Sequence, residues 1–503
     1  MKEASRKTAV TLFIFRFFRL LVSIATLSVS AHFFGVGLER ESWILSLNFV
    51  VVVQLALWGP LNETFRAKFI FLKAEEGAPA ALHRTASLLL FSLSVMAGVV
   101  VIMELFSPAI AGMIAPSFKG EELARLTILL RYLLWSAVLS QATQLLSSVL
   151  NTYDSFYIPE ISGFISAIIN LALIVLLSDS IGIYSFLIAN YASALLLLLA
   201  LIYQIKKLKI PLFQQKISFS WQQVRPFILY SIPFFLPYII GQCNSLIEKL
   251  IANLLANNTV SIIDYSKKIS DIIQTVLTSV LATIMVPTLS SKFSTGNLEG
   301  VGEESKKYLQ LIFLMLAFIM PMLVLCSDDI TAILYNKGTI SNHDLTLISL
   351  LIKLYAISLL SIFSYLIFGL ILLSVNKNRQ YALYGMVAQV IMILINVAAY
   401  RLSGIYTFVI ALTVSHFISA CILCYHLPFD KKVILGSVFR YGMLILCVLC
   451  GGYLVNRWVY SPDNPFVHIA YNCLLTGILC GGIAMLLRLP EIQALKSLIL
   501  KNK

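Results

Sequence analysis

Four charged residues share one side of an otherwise apolar predicted helix. Asp264, Lys267, Lys268 and Asp271 are spaced by three, one and three residues, so they fall on one helical face. The next residues, 272–289, include no charge and are roughly long enough to cross a bilayer core. Because an ionisable side chain in hydrocarbon costs at least about 2.5–3.5 kcal/mol, this face is expected to contact protein or water. The pattern predicts a helix that lines a hydrophilic cavity, or alternatively two self-contained ion pairs near the membrane surface, Asp264 with Lys268 and Lys267 with Asp271.

Two arginines lie within the first apolar stretch, which runs from Thr8 to Phe34. Arg16 and Arg19 are three residues apart, so they point the same way, and no carboxylate lies between Glu3 and Glu39 to pair with them in the same helix. Guanidinium groups match the geometry of phosphate, so an unpaired pair of arginines favours an anionic ligand. The alternative is that both side chains extend to the cytoplasmic surface.

Three further features within apolar segments allow a functional and a structural interpretation. Glu248 and Lys249 interrupt the seventh predicted span, and Glu248 is a candidate cavity or gating residue or, alternatively, a structural partner of Lys268 or Lys267. His416 is a candidate proton site or a hydrogen-bonded structural histidine. The Cys-x-x-Cys pairs at 421–424 and 447–450 would suggest zinc in a soluble chain, but here they lie in apolar spans and are predicted to pack as small apolar residues.

The composition is that of a polytopic membrane protein. The chain has 503 residues, of which 59% are hydrophobic and 12% charged, about half the charged fraction of a soluble protein. The net charge of +13 is explained by Lys and Arg in cytoplasmic loops beside anionic lipid, so no nucleic-acid partner is expected.

Fourteen apolar spans are predicted, so the fold class is all-α. With the N-terminus inside, the inner segments contain 23 Lys and Arg residues and the outer segments five, which predicts that both termini are cytoplasmic. The first stretch is longer than a signal peptide and includes arginines, so it is expected to be a retained span. The spans are 8–34, 42–58, 85–107, 123–150, 156–177, 181–205, 226–256, 262–289, 308–326, 345–375, 380–400, 404–425, 433–455 and 466–488.

The chain also repeats itself. Residues 182–189, GIYSFLIA, open the sixth span, and residues 404–411, GIYTFVIA, open the twelfth. Short amphipathic stretches on the outer side recur at 110–118 and 330–337. Unless the octamers match by chance, two six-helix lobes form a parallel repeat of the kind that supports alternating access.

The repeat predicts four segments. These are an N-lobe at 1–205, a basic amphipathic linker at 206–225, a C-lobe at 226–426, and an extra span pair with a cytoplasmic tail at 427–503. Gly451-Gly452 and Gly477-x-x-x-Gly481 in the extra pair are expected to permit close helix approach or to leave a groove.

No enzyme motif is evident: the chain has no P-loop, no His-Glu-x-x-His and no Gly-x-Ser-x-Gly. Transport without an NTP-binding domain must draw on ion gradients, the membrane potential or the substrate gradient. A membrane glycosyltransferase or ligase is the alternative class, because the predicted outer loop 327–344 includes Asp328 and Asp329. A drug or cation antiporter is disfavoured because its cavity should be acidic.

Several short motifs resemble those of lipid II flippases of the MviN/MurJ type, in the superfamily of multidrug, oligosaccharidyl-lipid and polysaccharide exporters. The resemblance rests on Leu281–Ser290 (LATIMVPTLS), Tyr265–Ile269 (YSKKI), Phe34-Gly35 with Glu41, Ile114–Phe118 (IAPSF), and Leu150-Asn151 with Phe156 and Pro159.

The resemblance also assigns roles and shows departures. Lys268 stands where a cavity arginine is expected, Gln54 takes the place of a second-span arginine, and Arg19 matches an arginine of the first span. Lys267 replaces an aspartate, and residues 23–26, SIAT, replace an Arg-Asp pair. The cavity stays cationic, and the last two spans correspond to a pair that helps form a lipid-tail groove.

The expected function is therefore a flippase that moves a polyprenyl-pyrophosphate-linked glycan, lipid II or similar, from the inner to the outer leaflet by alternating access. An exporter of another lipid-linked repeat unit, of O-antigen or capsule type, is the alternative. The protein is expected to be a monomer in the bacterial plasma membrane, with membrane lipid as its other partner, no metal, no cofactor and an unidentified coupling ion. The expected substrate-binding residues are Arg16, Arg19, Lys267, Lys268 and Gln54, and the expected cavity or gating residues are Glu41, Glu248, Asp264 and Asp271.

Overall fold

The computed structural model describes residues 2–153, 155–214, 220–336, 338–459, 462–487 and 489, without the side chains of 2–13, 280, 282, 283 and 378. The chain divides into two compact units, residues 1–261 and 262–503. The predicted tail after residue 490 lies outside the described residues. The predicted segment boundaries at 205, 225 and 426 stay predictions.

The described residues form α-helices and a single 3₁₀ turn, with no strand among them, which confirms the all-α prediction. The helices that begin in the first unit are α1 Lys2–Phe34, α2 Leu38–Glu76, α3 Ala78–Leu105, α4 Ser107–Ile114, α5 Glu121–Leu134, α6 Ser136–Thr152, α7 Tyr157–Ile181, α8 Tyr184–Lys207, α9 Trp221–Leu255 and α10 Thr259–Ser294. Those of the second unit are α11 Leu298–Leu325, α12 Ser327–Tyr335, α13 Asn342–Ser374, α14 Asn378–Ser403, α15 Thr407–Tyr425, α16 Lys432–Trp458 and α17 Pro465–Leu486. Only the first turn of α10, residues 259–261, belongs to the first unit.

Thirteen helical stretches of the described chain are long and apolar enough to cross a membrane. One of them, Arg379–Tyr425, is 47 residues long and comprises both α14 and α15, separated by the 3₁₀ turn Gly404–Tyr406. The protein is therefore a multi-pass membrane protein with about fourteen spans, as predicted. The predicted fourth span consists of two helices, α5 and α6, which meet at Trp135.

The order of helices repeats along the chain and confirms the predicted duplication. Three long helices precede the eight-residue α4, just as three long helices precede the nine-residue α12. The two matching octamers also begin alike, since Gly182 has φ 58° and ψ −138° and Gly404 has φ 55° and ψ −136°. This left-handed conformation strains residues with a Cβ, which explains why both octamers start with glycine.

The first unit is organised around α2, which is 39 residues long and packs along α9. The Asn48 amide donates to the Ser245 hydroxyl at 2.9 Å, and the hydroxyls of Thr64 and Ser231 share a hydrogen bond at 2.7 Å. The contacts run in opposite chain order on the two helices, so α2 and α9 are antiparallel. Interhelical hydrogen bonds of this kind satisfy polar groups that lipid cannot solvate.

The core of the second unit lies between α11, α13 and α16. Phe313, Phe363 and Tyr441 are fully buried in it, one from each helix. Gly452 of α16 permits close approach to α11, because a Cβ there would lie 2.6 Å from the Leu325 side chain. This confirms close helix approach for the first of the two predicted glycine motifs.

Candidate functional site

Arg16 of α1 forms an ion pair with Glu160 of α7. Its Nε and Nη2 atoms donate to the same carboxylate oxygen, Oε1, at 2.8 and 2.5 Å. The Arg16 side chain is 50% exposed and the Glu160 side chain 19%. As predicted, the partner of Arg16 does not lie in α1, but Arg16 is not unpaired, because α7 supplies the carboxylate.

Arg19 lies one helical turn further along α1 and faces Gly163 of α7. A Cβ added at Gly163 would sit 3.0 Å from the Arg19 Nη1 atom, so the glycine leaves room for the guanidinium. Arg19 is exposed, and among the described residues no carboxylate or hydrogen-bond acceptor pairs with it. It is thus a cation in an apolar helix with its donors available to a ligand.

The packing of aromatic rings holds α1 and α7 in this register. The Phe164 ring lies 6.0 Å from Phe15 and 6.2 Å from Phe18, measured between centroids. Phe164 directly follows the glycine beneath Arg19, so these contacts place the two arginines against α7.

Glu41 and Gln54 both lie buried in α2. The Glu41 Oε1 atom accepts a hydrogen bond from the backbone N–H of Val260 at 2.8 Å. A carboxylate next to the first N–H groups of a helix is stabilised by the helix dipole. Gln54 is 3% exposed, and its Nε2 atom has no hydrogen-bond partner within the described part of the chain. The gating role of Glu41 and the ligand role of Gln54 stay predictions.

Glu248 contacts its own neighbour Lys249 in α9, with 3.7 Å between Oε1 and Nζ. The two side chains are 8% and 12% exposed, so both charges are largely removed from solvent. Mutual neutralisation lowers the cost of keeping them within an apolar helix. The gating role of Glu248 also stays a prediction.

In the second unit, α10 holds all four residues of the charged face, and each is half-buried. Lys268 has neither a hydrogen bond nor an ion pair with any described residue, so the alternative Asp264–Lys268 pair does not form. The structure thus leaves Lys268 as an available cation, and the roles of Asp264, Lys267 and Asp271 stay predictions.

His416 is held as a structural residue. Its Nδ1–H donates to the Leu412 carbonyl at 2.8 Å, and its ring packs edge-on against Tyr365 with centroids 5.2 Å apart. Of the two interpretations drawn from the sequence, the hydrogen-bonded one agrees with this geometry.

An apolar groove lies between the facing surfaces of α11 and α17. It has a volume of about 600 Å³, and glycines on α17 form one wall. Hence the second glycine motif leaves a groove, whereas Gly452 brings helices together. The lining residues are Leu314, Met315, Phe318, Ile319, Gly477, Cys480 and Gly481.

Sequence reasoning missed Glu160. The signal was present, because Glu160 and Gly163 are three residues apart near the start of α7, which matches the spacing of Arg16 and Arg19. It also missed an amide cluster in which the Asn62 side chain donates to Gln144 at 2.7 Å and to Gln141 at 3.1 Å.

Comparison with solved structures defines the class of fold. The chain is similar to a multidrug resistance MATE family transporter of the MOP superfamily in an inward-facing conformation, with 13% identity, a TM-score of 0.62, and coverage of 86% of this chain and 95% of that one. A MOP superfamily transporter from Pyrococcus furiosus gives 14% identity, a TM-score of 0.59 and the same coverages. The chain thus has a fold similar to that of these two transporters.

The match is stronger with a lipid II flippase MurJ in an inward closed conformation. That structure shares 16% identity with a TM-score of 0.79, and the alignment covers 95% of this chain and 99% of the other. A family model described as lipid II flippase MurJ matches residues 30–461. The chain belongs to the MurJ lipid II flippase family.

Proposed function

We propose that this protein translocates a polyprenyl-pyrophosphate-linked glycan, lipid II or a close relative, from the inner to the outer leaflet by alternating access. Membership of the MurJ family over residues 30–461 is the observation on which the proposal rests. The MATE-like fold agrees with alternating access. Because the proposed transport involves no bond cleavage, the protein acts as a transporter and not as an enzyme.

The substrate's pyrophosphate is the group that the basic residues recognise. Arg19 and Lys268 support this, because each is a cation of an apolar helix without an acidic partner among the described residues. Charge-assisted hydrogen bonds to phosphate are about twice as strong as neutral ones. Arg16, Lys267 and Gln54 assist in binding during the transport cycle, and Glu41, Glu248, Asp264 and Asp271 adjust the local charge.

The isoprenoid tail follows the groove between α11 and α17. The described residues that line the groove are all apolar or small, which suits an alkyl chain better than a sugar. The head group therefore crosses along charged helices while the tail stays in an apolar environment.

The transport cycle uses no organic cofactor and no metal. The chain lacks an NTP-binding motif, so the driving force is an ion gradient, the membrane potential or the substrate gradient. The protein works as a monomer in the bacterial plasma membrane, with both termini in the cytoplasm. The excess of Lys and Arg in the segments assigned to the inside supports this orientation.

Two measurements test the function. Depletion of the protein in its host should cause lipid II to accumulate on the inner leaflet. The purified protein in liposomes should render fluorescent lipid II accessible to an external quencher faster than empty liposomes do. Accumulation of a different lipid-linked repeat unit, with no movement of lipid II in liposomes, would contradict the proposal and indicate an O-antigen or capsule type substrate.

A further inference from the structure

Two arginines of α1 that are three residues apart face two residues of α7 that are also three residues apart. Of these two α7 residues, one is charged and the other is a glycine. Arg16 faces the carboxylate of Glu160, whereas Arg19, three residues later, faces Gly163, three residues after Glu160. Among the described residues, Arg16 thus has a carboxylate partner and Arg19 does not. This asymmetry is not needed for packing, because Phe164 already fixes the two helices together.

The geometry and the exposure of the Arg16–Glu160 ion pair indicate that it is weak. Both Arg16 donors converge on one oxygen of Glu160, whereas a two-oxygen fork is the strongest arrangement of a guanidinium and a carboxylate. The Arg16 side chain is half exposed, and in the hydrophilic cavity that the sequence predicts such an ion pair contributes only about 0–1 kcal/mol. A phosphate group, with several oxygens and more charge, offers Arg16 a better partner.

We propose that Glu160 is an exchangeable counter-ion that holds Arg16 while the site is empty and yields it to the phosphate groups of the substrate. This inference rests on the proposed function, since it takes a pyrophosphate lipid as the ligand. Without Glu160, Arg16 and Arg19 would present two uncompensated charges on one face. The carboxylate therefore limits the affinity for the anion and re-forms its pair with Arg16 when the substrate leaves.

Binding of farnesyl pyrophosphate to the full-length protein in lipid nanodiscs tests the exchange. The central variant is Glu160→Gln, because glutamine keeps the shape and a carbonyl acceptor for Arg16 but removes the charge. It should bind farnesyl pyrophosphate roughly two- to fivefold more tightly than the wild type, the range that corresponds to losing a half-exposed ion pair. Binding of uncharged farnesol should not change.

A second comparison separates exchange from simple repulsion between Glu160 and the ligand. In an Arg16→Met background, Glu160→Gln should tighten binding by less than half as much, because no arginine remains to be released. Arg16→Gln replaces Arg16→Met if the latter is not recovered from membranes. Glu76→Gln is the matched control, since it breaks the Glu76–Arg84 ion pair between α2 and α3 and should leave the affinity unchanged.

The outcomes are distinct. Equal tightening with and without Arg16, or no tightening in Glu160→Gln, would overturn the exchange while leaving the proposed function intact. If the wild type bound farnesyl pyrophosphate no better than farnesol, the proposed function would fail and this inference with it.

Discussion

The hydroxyl of Tyr335 in α12 donates a hydrogen bond to the backbone carbonyl of Tyr265 in α10 at 3.1 Å. The two rings pack with centroids 4.8 Å apart, and both side chains are fully buried. Tyr265 lies between Asp264 and Lys267 in the chain. The short helix α12 therefore fixes the turn of α10 that presents the charged face.

Removal of this hydrogen bond should loosen the turn that positions Lys268. Tyr335→Phe keeps the ring contact, so it should destabilise the protein by only about 0.5–1.5 kcal/mol, the usual net contribution of one hydrogen bond. The flipping rate should fall severalfold, because Lys268 is held less precisely. Tyr203→Phe is the control, since Tyr203 is 66% exposed. Thermal unfolding and liposome flipping assays measure both effects, and equal rates for the two variants would show that this contact does not position Lys268.

Arg19 and Lys268 should be needed for transport but not for folding. Arg19→Ala and Lys268→Ala should each reduce flipping at least about tenfold, since hydrogen bonds to charged groups contribute about 1.5–3 kcal/mol. Because neither residue has an ion-pair partner among the described residues, membrane levels and unfolding temperature should stay normal. Lys268→Arg should remain active, since it keeps the charge. Normal transport by Lys268→Ala would mean that the charged face of α10 does not bind substrate.

Ionised Asp328 should stabilise the folded protein, and this contribution should be lost at acidic pH. Burial alone would raise the pKa of its carboxyl, but a hydrogen bond from the Ser349 hydroxyl and one from the Lys353 ammonium, the latter at 2.9 Å, outweigh this and lower the pKa below its ordinary value. A lowered pKa stabilises the folded protein above the unfolded value near 3.9, and this contribution is lost as the pH falls through the folded value.

The unfolding temperature should therefore drop more steeply between pH 5 and pH 3 in the wild type than in Asp328→Asn, which has already lost the contribution at pH 7. Differential scanning fluorimetry in one detergent measures the four values. Parallel losses in the two proteins would show that Asp328 is not the group responsible.

The sequence predicted the number and type of elements because uncharged runs of about twenty residues have few alternatives to a spanning helix. It predicted a second span of 42–58, whereas α2 runs to Glu76. The predicted span ended at residue 58 because the residues that follow are more polar. The helix nevertheless continues, because Phe65 stacks on Phe227 of α9 with centroids 5.4 Å apart. Such tertiary support leaves no trace in the hydropathy of α2 itself.

The site was only partly predictable for a similar reason. Spacing identified Arg16 and Arg19, since both lie in one helix and periodicity acts within a helix. Their difference depends on Glu160 and Gly163, which belong to α7 and are more than 140 positions away. The Asp264–Lys268 pair had suitable spacing and yet does not form, because spacing permits an ion pair without requiring one.

Cysteine labelling tests the orientation of the chain. The loops that contain Gly77 and Asn258 are predicted to lie inside and outside, respectively. The cysteines are placed beside these two residues and not at them, because their φ angles are 89° and 73°, where a cysteine would be strained. In a background without the eight native cysteines, Asn257→Cys and Asn342→Cys should react with a membrane-impermeant maleimide in intact cells. Glu75→Cys and Ser291→Cys should react only after the membrane is opened. Labelling of Glu75→Cys in intact cells would reverse the assigned orientation.

Leucines in the groove between α11 and α17 should impair transport of long-chain substrates selectively. Gly477 and Gly481 form the α17 wall. A Cβ at Gly477 would lie 3.9 Å from Phe318, and a Cβ at Gly481 would meet no atom of a described residue within 4 Å. Gly477→Leu and Gly481→Leu should therefore fold normally while filling space that the tail needs. Since lipid and groove are equally apolar, the groove binds the tail through packing contacts and not through the hydrophobic effect. The expected loss in flipping rate is therefore modest, about two- to fivefold.

The test compares the flipping rates of two substrate analogues that differ only in the length of the tail. A lipid II analogue with an undecaprenyl tail should be slowed, whereas the same head group on a farnesyl tail should move at the wild-type rate, because the shorter chain makes fewer groove contacts. Gly482→Leu is the matched control: it adds the same side chain at the next position, which is exposed and does not line the groove. If the leucines at 477 and 481 slow both analogues equally, the defect lies in the movement of the helices. If neither analogue is slowed, the tail follows another path.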